Sequence, residues 1–212
     1  MKARSTVLLT FSLFGAVSLS YTSLFCTAFA QNGNRLIADF DGEKLETSSG
    51  LSPWYYADDQ LGGTSEVRGR LIHPGAESSR GALRLSFNMT NDFPSPFAAA
   101  WAMVGPEGLA TDLSAYRGVR FYARSKDGTA FTCGVVHFTG MVMRYARPFE
   151  VRSEWTLVEL PFDTFRPIGP TGGPLPNAPA IDPKYITSVG FAVASDRRGQ
   201  FELDVDRIEA YR

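Results

Sequence analysis

Two sets of residues in this sequence have types and spacings suited to chemistry. The first is Arg120, Tyr122 and Arg124, at alternate positions of Val119-Arg120-Phe121-Tyr122-Ala123-Arg124. A period of two puts these three on one side of a strand and Val119, Phe121 and Ala123 on the other. Two guanidinium groups and a phenol on one face can hydrogen-bond a ligand or stack on it. They can equally form a solvated outer face, with long side chains lying over the sheet. The second set is acidic: Asp39-x-Asp41-x-Glu43 near the start of the chain and Asp206 near its end. Calcium takes roughly six to eight hard oxygens. If the first and last strands lie side by side, Asp39, Asp41 and Asp206 could share one ion; otherwise they are solvated turn acids.

Catalytic signals are weak. The only histidines are His73 and His137. There is no Gly-x-Ser-x-Gly elbow, no glycine-rich phosphate loop and no His-Glu-x-x-His. A hydrolase with a pair of acids stays open as an alternative, because the separation of such a pair is set in space. The acids gather near turns and at both ends of the chain, which suits a cation better than a cleft. The expectation is a protein that binds and does not catalyse.

The elements that must position these groups read as strands. Arg35 to Phe40 is the first. Leu83-Arg84-Leu85-Ser86-Phe87-Asn88-Met89 alternates most cleanly, and Asn88-Met89-Thr90 on it is a glycosylation sequon. Phe97 to Val104 is bounded by Pro94, Pro96, Gly105 and Pro106 and reads as a strand. Leu109 to Tyr116 is expected to hold one helical turn capped by Thr111 or Asp112. Strands follow at Ala130 to Phe138, Met141 to Val151 and Trp155 to Leu160. From Arg166 to Lys184 the chain is rich in Pro and Gly and has no period. Ile186 to Ala194 and Phe201 to Val205 alternate again. The pattern then slips at Asp206-Arg207, which predicts a β-bulge. Roughly nine or ten short strands and almost no helix predict an all-β antiparallel sandwich or jelly roll. Trp54 and Trp101 could act as stacking platforms, but burial in the core is the expected state of each.

The first thirty residues read as an export signal: Lys2 and Arg4, then an apolar stretch, then Ala28-Phe29-Ala30 before Gln31. Serines and threonines interrupt the stretch, which argues against a retained membrane anchor. Residues 31–212 would then be a single domain, secreted or periplasmic, with no stable membrane insertion after cleavage. Loss of Lys2 and Arg4 leaves 19 basic against 22 acidic residues, a charge of −3. That offers no basic excess for nucleic acid. Cys133 would stand alone, a buried small hydrophobe and not half of a disulfide.

Trp54, Asp59, Gly62-Gly63-Thr64-Ser65, then Asp112-Leu113-Ser114 with Tyr116 and Gly118-Val119-Arg120-Phe121, then Trp155 and Leu160-Pro161-Phe162 with Phe165, resemble the complex I intermediate-associated protein domain. The resemblance runs from about Phe40 to Tyr211. It implies a galactose-binding-domain-like jelly roll, similar to carbohydrate-binding modules of glucan-degrading enzymes. It also implies that mitochondrial members are assembly factors for respiratory NADH dehydrogenase. No cofactor is implied as required; a bound calcium ion, when present in such modules, is structural and lies near the first and last strands. An export signal departs from the transit peptide of mitochondrial members. The expected ligand is a glycan or a protein surface. Arg120, Tyr122 and Arg124 are the candidate binding residues, with His137, Tyr145 and Arg147 from following strands. Tyrosine stacks on sugar rings, and Arg and His hydrogen-bond hydroxyls. The alternative is an assembly chaperone for a membrane-bound complex.

Overall fold

The computed structural model describes residues 33–127, 130–170, 172–193 and 196–212. The expected export signal at residues 1–30 lies outside them. Twelve strands are described: β1 (Arg35–Ala38), β2 (Trp54–Ala57), β3 (Glu66–Ile72), β4 (Ala82–Met89), β5 (Ala98–Met103), β6 (Gly118–Arg124), β7 (Ala130–Phe138), β8 (Val142–Glu150), β9 (Thr156–Pro161), β10 (Arg166–Ile168), β11 (Ile186–Val193) and β12 (Gly199–Tyr211). They form two six-stranded antiparallel sheets. The first runs β3-β4-β12-β6-β9, with β1 also paired to β12; the second runs β10-β8-β7-β11-β5-β2. This is the expected antiparallel sandwich of jelly-roll class. No helix among the described residues is long and apolar enough to cross a membrane.

Alternation decides which face of each strand is buried. Leu83, Leu85, Phe87 and Met89 of β4, and Val119, Phe121 and Ala123 of β6, are buried between the sheets. Phe121 meets two rings from the second sheet edge-on, Phe191 at 4.9 Å and Phe149 at 5.1 Å. Such edge-to-face pairs add to the stabilisation from burial. Cys133 lies in this core, and burial pushes its thiol far above the ordinary range, so it stays protonated and inert.

β12 is the spine of the first sheet. Its Gly199–Val205 stretch pairs with β4, and Ile208–Ala210 pairs with β1. Between them the register on β6 shifts, from Asp206 to Glu209, and Arg207 sits at φ 48°. This is the predicted bulge. It lets one strand serve two partners in succession and sets the first and last strands side by side.

The structure corrects several local expectations. β3 is a strand although Gly69 hides its alternation; a Cβ there would run into the Tyr55 hydroxyl. β2 is too short to show a period. β10 carries Pro167 and lies at a sheet edge, where a missing N–H costs least. Asp58–Leu61, between β2 and β3, is a short 3₁₀ turn. The helical turn expected at Leu109 to Tyr116 does not form; the chain turns just upstream instead, at Pro106–Gly108, with Glu107 at φ 54°, outside the right-handed helical region. Thr111 bridges to Ile186, and the Asp112 carboxylate accepts from the Ser114 N–H at 2.8 Å, closing an Asx-turn.

Candidate functional site

Strand register in the second sheet lines up six residues from six strands. Trp54 pairs with Trp101, Trp101 with Gly190, Gly190 with Gly134, Gly134 with Ala146, and Ala146 with Arg166. Residues opposite one another share a face. Their neighbours Cys133, Val135, Val189 and Phe191 face the core, so this row lies on the outer surface. The two glycines remove side chains from the middle of the row, and the Trp101 ring takes the vacated space. A Cβ on Gly134 would stand 2.7 Å from Trp101 Cη2, and one on Gly190 would collide with the same indole.

The result is a groove of about 340 Å³, within the range of small-molecule sites, roughly 300–1,000 Å³. Its floor is Gly134, Gly190, Ala99, Ala146 and Ala192. Tyr56, Phe97 and Trp101 form an aromatic wall. Arg144, Arg147 and Arg166, with Ile168, Pro170 and Gly172, line the other side. The aromatic side is built as a ladder: Trp54 stacks on Tyr56 at 5.5 Å and 17°, and Tyr56 meets Phe97 at 5.0 Å. Trp54 is 44% exposed, so it is a surface ring and not the core residue expected. Trp101 is 6% exposed, but it is buried on the outer face and not between the sheets.

Asp58 holds this wall. Its carboxylate is fully buried and accepts from the Ser65 N–H at 2.8 Å and the Phe97 N–H at 3.1 Å. Its own N–H donates to the Phe97 carbonyl. Tyr56, two residues before Asp58, is thereby set against Phe97.

The six residues proposed from sequence for binding are divided between opposite sheets. Arg120, Tyr122 and Arg124 lie on the outer face of the first sheet. There Arg120 pairs with Glu209 at 2.7 Å. Arg124 donates to Asp204 at 2.9 Å and lies 4.4 Å over the Trp155 ring. Arg84 grips the same Asp204 through two nitrogens, at 2.6 and 2.8 Å. Burial and a hydrogen bond to Glu77 raise the Tyr122 phenol pKa. On the second sheet Tyr145 is fully enclosed, and its hydroxyl donates to the Pro179 carbonyl at 3.2 Å. His137 is buried at one end of β7, its ring 5.9 Å from that of Tyr145 and 5.7 Å from that of Tyr185. Of the six, only Arg147 is among the residues lining the groove; it pairs with core-facing Cys133, on the other side of β8 from Arg144 and Ala146.

The family model for complex I intermediate-associated protein 30 (CIA30) matches residues 39–205. The chain belongs to this family. Solved structures similar to this CIA30 domain include carbohydrate-binding modules. One is the family 11 module of the cellulosomal cellulase Lic26A-Cel5E of Clostridium thermocellum, with TM-score 0.63 and 18% identity over 84% of this chain and 94% of that one. Another is a family 11 module from the same organism in complex with a β-1,3-1,4-mixed-linked tetrasaccharide, with TM-score 0.61 and 20% identity over 84% and 95%. A family 30 module follows at TM-score 0.59 and 15% identity over 84% and 88%. No curated protein matches the chain.

The acidic set of this CIA30 domain converges only in part. Asp41 and Asp206 meet around the 73–81 loop. Asp41 Oδ1 accepts from the Ser79 hydroxyl and from the N–H groups of Arg80 and Gly81. Asp206 accepts from the N–H groups of Ala76 and Arg207. Burial alone would raise the Asp41 carboxyl, but hydrogen bonds from Ser79, Gly81 and Arg80 outweigh it and hold its pKa below the ordinary value. Burial raises that of Asp206, and the Asp41 charge adds to the effect. Asp39 accepts only from the Asp41 N–H, at 3.2 Å. Among the described residues no group of three or more His, Cys, Asp or Glu could hold a metal ion. The carboxylate pair suits calcium poorly: Asp41 Oδ1 and both Asp206 oxygens already accept N–H groups, which repel a cation, and the ion would need roughly six oxygens or more.

Sequence reasoning missed Tyr56, Arg144 and Arg166. The available signal was Gly134 and Gly190, isolated glycines inside otherwise apolar strands, which mark close approach by another group.

Proposed function

We propose that this CIA30 domain is an exported, non-catalytic binding module that holds a glycan in the groove on the outer face of the second sheet. The observation that carries this reading is an aromatic wall beside a floor of glycine and alanine, on a fold shared with carbohydrate-binding modules. Sugar rings present C–H faces that pack on aromatic rings, and the alanines beside the Trp101 ring leave room for a chain of such rings to lie close. One of the similar modules was solved with a mixed-linked tetrasaccharide, which supports the glycan class. Glycosidic hydrolysis needs two carboxyl groups beside the bond; the described lining residues supply arginines instead. Binding here requires no cofactor. Lys2, Arg4 and the Ala28-Phe29-Ala30 site support export to the periplasm or beyond.

The test is calorimetric titration with oligosaccharides found on a glycan array. Trp54→Ala and Tyr56→Ala should each weaken binding about tenfold or more, a loss near 1.4 kcal/mol. Full affinity in both variants, or binding that disappears in Tyr122→Ala instead, would move the ligand off this groove.

A protein partner is the second reading, favoured by one feature. Phe138, Met141 and Val142 project 47%, 66% and 49% exposed at the turn between β7 and β8, an apolar tip of the kind that docks on proteins. If the domain assists assembly of a membrane-bound complex, subunits should co-purify with it and be lost on Met141→Glu. Co-purification that survives this change sinks the reading.

A further inference from the structure

The groove is charged on one side and carries no opposing charge. Arg144 and Arg166 stand on its outer face by register, Arg147 joins the lining, and no Asp or Glu does among the described residues. None of the three has a carboxylate partner there. Arg166 donates to the Asp163 and Phe165 carbonyls, which fixes the guanidinium without neutralising it. The contrast with the opposite face is sharp, since Arg84, Arg120 and Arg124 there all pair with carboxylates. The Trp101 indole N–H also finds no acceptor in the protein. The side chains lining the groove are thus rich in donors without a carboxylate partner, with the Tyr56, Thr132 and Thr164 hydroxyls as the side-chain acceptors among the described residues. Neutral sugar hydroxyls are recognised best by mixed donors and acceptors; a ligand that only accepts is the complement of this lining.

We infer that the groove binds an acidic oligosaccharide, with a carboxylate or sulfate group against Arg144 and Arg166 and a sugar face against Tyr56 and Trp101. This rests on the glycan reading above and narrows its ligand class. The planar guanidinium fork matches the oxygens of either group. The two possible sources, uronic acid and sulfate ester, share that chemistry. The apolar floor and aromatic wall keep water from one side of the pair, so each contact is worth more than a surface ion pair.

The experiment titrates the whole domain with three probes at matched length: a galacturonate oligomer, a sulfated glucan oligomer and a neutral mixed-linked glucan oligomer. At least one charged probe should bind about tenfold or more tighter than the neutral one in low salt. The preference should shrink as salt rises through physiological strength. Arg144→Gln and Arg166→Gln should each remove about tenfold of the charged probe's affinity. Lysine at the same positions should restore part of it, while thermal unfolding stays unchanged. Equal or tighter binding of the neutral probe, with the glutamine variants inert, overturns the inference and leaves the glycan reading standing. Failure of all three probes overturns both. Displacement of the charged probe by polyglutamate at equal charge, with Trp54→Ala inert, also overturns it, since the groove would then read charge without sugar.

Discussion

The Trp101 ring lies in the space that a side chain on Gly134 would fill, with Cη2 2.7 Å from where its Cβ would stand. Gly190 yields to the same ring from the neighbouring strand. One aromatic residue and two glycines on three adjacent strands therefore make a single structural unit. Gly134→Ala should cost about 1–3 kcal/mol through overpacking, read by urea denaturation. It should also weaken ligand binding, because the displaced indole narrows the groove. An alanine variant with unchanged stability and affinity would show that the ring has freedom to move aside.

Asp58 is a positioning residue. Asp58→Ala leaves the Ser65 and Phe97 N–H groups without an acceptor in a buried place, a cost of about 3 kcal/mol. Asp58→Asn keeps one acceptor oxygen and should cost less. Both should lower affinity for the groove ligand, the alanine more, since Phe97 loses its anchor. Stability loss without affinity loss would separate Asp58 from the site.

Asp204 is 3% exposed and shared by Arg84 and Arg124. Asp204→Ala should destabilise by about 3 kcal/mol, because two guanidinium groups are left facing each other. Arg124→Ala should cost about 1 kcal/mol, since Arg84 still grips the carboxylate through two nitrogens. Neither change should alter groove affinity in the protein that remains folded, because both act on the opposite sheet. Chemical denaturation and titration of the same samples check this.

His137 sets a pH dependence. Burial lowers its pKa, and the Asp182 carboxylate offsets only part of that. The other groups against it are Tyr145 and Tyr185. The unfolded chain takes up the proton near the ordinary value, about 6.5, before the folded one does. Stability is therefore intact above that pH and declines as pH falls from it to the lowered folded value. Urea midpoints between pH 7.5 and 5.5 should fall for the native protein, and His137→Gln should flatten that segment. An equally steep decline in the variant would assign the effect elsewhere.

Much of this was legible in the residues. The alternation of β4, β6 and β12 announced a sandwich, because a period of two with one apolar face has few other ways to be buried. The slip at Asp206-Arg207 announced the bulge. β2 and β10 were not legible, since elements of three or four residues hold no period. Gly69 concealed β3, being neither apolar nor polar at the position that would have completed its pattern. The binding face was the hardest part. Arg120 and Arg124 look in sequence just as Arg144 and Arg166 do, each on or beside an alternating strand. What separates them is the carboxylate across the strand, present at Asp204 and Glu209 and missing in the groove.

The sequence by itself determined the fold class, the family and the inward face of the longer strands, because side-chain alternation and turn residues act over a few neighbours. Only the tertiary structure decided which face could receive a ligand. That depends on register between strands far apart in the chain, which set Trp101 over Gly134 and Gly190 and placed Asp204 between Arg84 and Arg124. Pairings of that kind are fixed by packing across the sheets, and no local pattern encodes them.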